Sequence, residues 1–113
     1  MEVQTVKKGK VMIVKPMGKR LDASVAPEFK KTMLDLVNEG NKLLVLNLGE
    51  VDFVDSSGLG VMVSILKAVG KEGDMSICGV KDPVMSLLKL TRMDKVFRIF
   101  ATEDQASEAL SSA

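Results

Sequence analysis

The stretch Lys42 to Leu48 (KLLVLNL) most constrains what this chain can fold into. Its apolar side chains run almost without a break, so a strand built from it must be covered on both faces. That is how a central strand of a largely parallel sheet reads. The flanking sequence agrees, because strand-like and helix-like segments alternate along the chain. Val3 to Val6 and Val11 to Val14 read as short strands around a Lys-Lys-Gly-Lys turn, and Pro16 and Gly18 then break the pattern. Ser24 and Pro27 open a helix in which Phe29, Met33, Leu36 and Val37 form one buried stripe, and Gly40 stops it.

A second helix is expected from Ser56 or Ser57 to about Lys71, with Leu59, Met62, Val63, Leu66 and Val69 as its core stripe. Met75 to Val80 reads as a strand. Asp82 and Pro83 suit a helix cap and first turn, with Val84, Leu87 and Leu88 facing inward. Val96 to Phe100 is a further strand, placed nearer an edge because Arg98 interrupts it. Thr102 with Gln105 forms a capping box that opens a last helix, with Ala106, Ala109 and Leu110 inward. The order is β-β-α-β-α-β-α-β-α. It predicts an α/β fold, a mixed and mostly parallel sheet of about 4–5 strands packed with about 4 helices, in a single domain over residues 1–113.

Composition removes several classes of function. The chain has 113 residues, 16 basic and 15 acidic, for a net charge of +1, and the basic residues form no stripe in the sequence. With no Trp or Tyr either, nucleic-acid binding has little support. The apolar stretches fall far short of a bilayer span, and the N-terminus lacks a signal-peptide core, so the expectation is no membrane partner and a cytoplasmic location. The lone Cys78 lies in an apolar strand-like run and reads as a buried structural thiol. There is no histidine, which rules out Ser-His-Asp and Cys-His machinery within this chain. One cysteine cannot build a zinc site. No metal, cofactor or catalytic residue is expected, and an enzyme ranks last among the readings.

The informative segment is Asn47 to Gly60 (NLGEVDFVDSSGLG), where a buried strand ends and Asp55-Ser56-Ser57-Gly58 feeds into a helix. In sheets of this kind functional groups gather at the carboxyl ends of strands, beside helix N-termini whose free N–H groups favour an anion. A phosphate on Ser56 would sit at such a place. Gly58 and Gly60 each cost up to ~1 kcal/mol of helix propensity, which suggests that small residues keep this surface open to an approaching protein or nucleotide. The bland alternative is that Asp-Ser-Ser simply caps the helix.

DFVDSSGLGVMVSILK resembles the signature of bacterial anti-sigma factor antagonists, the single-domain members of the STAS family. Gly18-Lys-Arg-Leu21-Asp22-Ala23 is similar to that family's GxLDA turn, and LLVLNLGEVDFVDSSGLG to its strand-plus-phosphosite segment. ICGVKDPVMSLLKLTRMDKVFRIFATEDQASEAL resembles its C-terminal portion, so nearly the whole chain is covered. The resemblance implies a switch that catalyses nothing. The unphosphorylated protein binds an anti-sigma factor that is also a serine kinase, freeing a sigma factor. The kinase then phosphorylates the serine after the motif's aspartate, here Ser56, and the complex dissociates. A metal-dependent serine phosphatase resets the cycle.

The resemblance also places Asp22 near the phosphosite as a partner contact, against the alternative of a helix cap. Asp55 stands to orient Ser56 or engage the kinase, or merely to cap. Ser57 is the second candidate for phosphorylation and, with Gly58 and Gly60, borders the contact. Val61, Ser64, Ile65, Lys67 and Ala68 lie off the expected core stripe and are candidates for the docking face, and a monomer is the simplest expectation. Two other readings stay open. One is a phosphorylation-independent interaction module in a larger regulatory assembly. The other is a nucleotide- or lipid-binding domain, since STAS domains elsewhere are appended to anion transporters; Gly58-Leu-Gly60 lacks the third glycine and the lysine that would favour it.

Overall fold

The computed structural model describes residues 1–111. Its strands are β1 (Val3–Lys8), β2 (Val11–Pro16), β3 (Arg20–Leu21), β4 (Leu43–Asn47), β5 (Phe53–Val54), β6 (Asp74–Cys78) and β7 (Arg98–Phe100). Its helices are α1 (Ala26–Asn38), α2 (Ser56–Val69), α3 (Asp82–Leu90) and α4 (Glu103–Ser111). Five strands form the main sheet in the order β1-β2-β4-β6-β7, so the apolar run at Lys42–Leu48 supplies the middle strand. Every pair in that sheet is parallel except the β1–β2 hairpin.

Successive residues of a strand point to opposite faces, and both faces here are covered. Leu44, Leu46, Met75 and Ile77 enter a core with Phe29, Met33, Met62, Ile65 and Leu88 from α1, α2 and α3. Val11, Ile13, Val45 and Cys78 pack on the other face against Ala106 and Leu110 of α4. The Ser76 hydroxyl, fully buried on the α4 side, donates to the Ala106 carbonyl at 3.1 Å. Burial on two sides is why β4 shows no polar alternation. β7 lies at an edge, as Arg98 suggested, and its guanidinium pairs with Asp74 of the neighbouring strand at 2.9 Å.

Several boundaries differ from the sequence reading. α1 begins at Ala26 with Val25 in the cap position, because the Ser24 hydroxyl turns back to Asp22 instead of capping. Asp82 is the first residue of α3, and Lys81 takes the cap position. β7 starts at Arg98 and not Val96, since the chain reaches it through a 3-10 turn at Met93–Lys95 that buries Phe97 and leaves Val96 exposed. Half of the capping box before α4 forms as expected, the Gln105 N–H donating to Thr102 Oγ1 at 3.2 Å, while Gln105 Oε1 accepts from the Ala101 N–H at 3.2 Å, one residue before the cap. β3 and β5 have no counterpart among the strands expected from the sequence.

The core stripe of α2 also falls elsewhere. Gly58, Val61, Met62, Ile65 and Val69 are buried, whereas Leu59, Val63 and Leu66 are half-buried. The helix packs against α1 as well as over the sheet, so its covered arc is wider than one stripe and is centred off the predicted line.

Candidate functional site

β3 and β5 make a two-residue parallel bridge that pairs Arg20 with Phe53 and Leu21 with Val54. Leu21 and Val54 point into the core. Alternation therefore sends Arg20, Phe53 and the next residues in register, Asp22 and Asp55, toward the surface. Two carboxylates far apart in sequence are thus set abreast where α2 begins.

Asp55 caps α2 from an extended backbone conformation. Its Oδ1 accepts from the Gly58 N–H at 3.0 Å, and its Oδ2 accepts from the Ala23 N–H at 3.1 Å. One carboxylate thereby ties the start of α2 to the turn that leads into α1. Asp22 is engaged on both oxygens too. Oδ1 accepts from the Ser24 hydroxyl and from the Ser24 N–H at 3.1 Å, and Oδ2 accepts from Arg20 Nε at 3.1 Å. The Ser24 hydroxyl and the Arg20 guanidinium together hold the Asp22 carboxyl below its ordinary value of 3.8.

Ser56 is the first residue of α2 and, like Ser57, is exposed. With Asp55 serving as the cap, the helix does not need the Ser56 hydroxyl, which stays available to a reagent from outside. Gly60 is exposed, and a Cβ there would meet nothing within 4 Å, so this glycine does leave open space.

Gly58 does not, and the expectation for it is corrected. It is buried, and a Cβ would lie 2.1 Å from the Leu21 carbonyl oxygen. Its smallness lets α2 press on the backbone of β3 and presents nothing to a partner. Val61, at 6 % exposure, and Ile65, at 0 %, are likewise core residues and not docking residues. Ser64 is half-buried and its hydroxyl donates to the Gly60 carbonyl at 3.0 Å, a local helical bond. Ala68 is half-buried and Lys67 exposed. The outward surface at this end of α2 therefore comprises Ser56, Ser57 and Gly60.

Two neighbours escaped the sequence reading. The Arg20 guanidinium lies 4.3 Å from the centroid of the Phe53 ring, a cation–π stack, and Phe53 is 40 % exposed. The alternation in Asp52-Phe53-Val54-Asp55 held the signal, because it puts Phe53 on the same side as Asp55. Behind them, Lys81 just before α3 pairs with Asp52 at 2.7 Å, and that ammonium holds the Asp52 carboxyl below its ordinary value. Among the described residues, no helix is long and apolar enough to cross a membrane.

The model of the STAS domain matches residues 2–106. A Thermotoga maritima protein described as a candidate anti-sigma factor antagonist is 34 % identical over 100 residues, covering 87 % of this chain and 88 % of its own. The anti-sigma-B factor antagonist of Staphylococcus aureus is 28 % identical over 100 residues, covering 88 % and 92 %. A crystal structure of a candidate anti-sigma factor antagonist from Thermotoga maritima superposes with a TM-score of 0.91 at 30 % identity, over 96 % of this chain and 94 % of that one. Matched along nearly its whole length in both sequence and fold, the chain belongs to the STAS domain family.

Proposed function

We propose that this protein is an anti-anti-sigma factor, acting as a single cytoplasmic domain and catalysing nothing. In its unphosphorylated form it binds an anti-sigma factor with serine kinase activity and so frees a sigma factor. The kinase phosphorylates Ser56: the Ser56 Oγ bonds to the γ-phosphorus of ATP, the bond to the bridging oxygen breaks, ADP leaves, and the hydroxyl proton passes to a base on the kinase. The phosphorylated protein releases its partner, and a serine phosphatase restores the hydroxyl with water.

The observation that carries this reading is the exposed Ser56 beside two carboxylates, in a helix already capped by Asp55. Relatives named as anti-sigma factor antagonists support the partner class. A phosphate there adds about −1.5 to −2 charges next to Asp22 and Asp55. The fold tolerates it, since Ser56 is exposed at a helix N-terminus. A partner surface shaped around a neutral hydroxyl does not, and losing even ~3 kcal/mol weakens an interface more than a hundredfold.

The test is phosphosite mapping by mass spectrometry on protein from its native host, with Ser56→Ala alongside, and partner capture by Ser56→Ala and Ser56→Asp. Phosphate on Ser56 that vanishes in Ser56→Ala, with capture retained by Ser56→Ala and lost by Ser56→Asp, is the expected result. Modification at Ser57 alone would move the switch by one residue. Equal capture by all forms, with Ser56 unmodified under every growth condition, would leave a phosphorylation-independent interaction module.

A further inference from the structure

We infer that Arg20 is the intramolecular receptor for the phosphate on Ser56, clamping it while keeping hold of Asp22. The inference rests on Ser56 as the phosphosite and concerns what the modified side chain meets in its own domain.

A dianion introduced after Asp55 faces two carboxylates that have no reason to move. Asp55 is held by the Gly58 and Ala23 amides, and Asp22 by Ser24 and Arg20. Turning the phosphate outward relieves this repulsion but leaves it without a partner. A cation on the same surface serves better, and the bridge between β3 and β5 supplies one.

The charged groups around position 56 come from three segments. Arg20 lies in β3 with Lys19 and Asp22 flanking it, Asp52 and Asp55 bracket β5, and Lys81 precedes α3. Lys81 is already committed to Asp52 at 2.7 Å, and Lys19 also acts on Asp52. Arg20 is differently placed. Only its Nε is given to Asp22, its side chain is 63 % exposed, and its flat face rests on Phe53. A guanidinium has five N–H donors in a fixed fork, so the outer edge remains free for a phosphate, which it fits in bidentate fashion. The stack on Phe53 limits the rotamers Arg20 can lose on binding. Asp22 is then the residue that positions the receptor.

In this arrangement Arg20 gives the modified protein a settled form. The phosphate engages the outer edge of the guanidinium and masks the Arg20 cation beside Asp22 and Asp55 from a partner. Release of the partner thus combines new negative charge with loss of an available positive group.

The experiment uses full-length protein with phosphoserine genetically encoded at position 56, which needs no kinase and holds whether or not the cell modifies that residue. A 31P NMR titration reads the second ionisation of the phosphate, ordinarily near pH 6. Arg20→Gln should raise that midpoint by about half a pH unit or more relative to the parent, because an adjacent cation favours the dianion. Arg20→Lys should recover part of the shift, and Lys81→Gln should leave it nearly unchanged. Equal midpoints in the parent and Arg20→Gln would overturn the assignment, as would a shift in Lys81→Gln as large as that in Arg20→Gln. A phosphate clamped by Arg20 in a protein never modified in its host would instead refute the phosphosite and leave the geometry standing.

Discussion

Two glycines separated by one residue should respond to alanine with opposite signs. Gly60 lies in α2, is exposed, and has nothing within 4 Å of where a Cβ would be. Gly60→Ala should therefore recover helix propensity and stabilise by up to ~1 kcal/mol. Gly58 would recover the same amount were it not packed on β3. Its Cβ would lie 2.1 Å from the Leu21 carbonyl oxygen and 3.0 Å from both the carbonyl carbon and Cγ of Leu21. The nearest obstacle is backbone, so no rotamer change relieves it and α2 must lift away. The same Leu21 oxygen accepts from the Asp55 N–H at 3.3 Å, and Asp55 in turn holds the Ala23 N–H. Overpacking costs about 1–3 kcal/mol, and weakening one of these hydrogen bonds costs about 1 kcal/mol more. Set against ~1 kcal/mol gained in propensity, the net destabilisation is roughly 1–3 kcal/mol. Urea unfolding followed by circular dichroism should show the Gly58→Ala midpoint falling and the Gly60→Ala midpoint rising, with the slope unchanged. A Gly58→Ala protein as stable as its parent would refute the claim that contact with β3 selects this glycine.

Asp55→Ala removes the α2 cap and the link to Ala23, and should cost about 1–2 kcal/mol by the same assay, whereas Ser56→Ala should stay within about 0.5 kcal/mol. Asp22, whose carboxyl is held below 3.8 by Ser24 and Arg20, stabilises the fold fully above that value and loses its contribution as pH falls through the lowered pKa. The stability gap between parent and Asp22→Asn should accordingly be present at pH 7, persist down to 3.8, and close only as pH falls through the lowered pKa, as urea curves across that range would record. Burial pushes the Cys78 thiol up to about 11, so a thiol reagent at pH 8 should label it only after unfolding. Rapid labelling of the native protein would contradict its position between the sheet and α4.

Much of this architecture follows from local pattern. KLLVLNL announced a strand buried on both faces, and the stripe at Phe29, Met33 and Val37 announced α1. The Thr102–Gln105 box fixed the start of α4, because capping depends on residues within one turn. Asp55-Ser56-Ser57 marked the start of α2 in the same way, and with it the exposed serine.

Tertiary structure decided what surrounds that serine. No local pattern reveals that residues 20–21 pair with 53–54, since the bridge spans only two residues and the alternation around Phe53 does not say which segment it meets. Yet this register sets Asp22 beside Asp55, stacks Arg20 on Phe53 and presses Gly58 against Leu21. Packing on α1 as well as the sheet likewise moved Val61 and Ile65 from the expected docking face into the core. Propensity and capping are short-range and can be read along the chain. The company a side chain keeps depends on which distant segments the sheet brings together, and that is settled only when the chain folds.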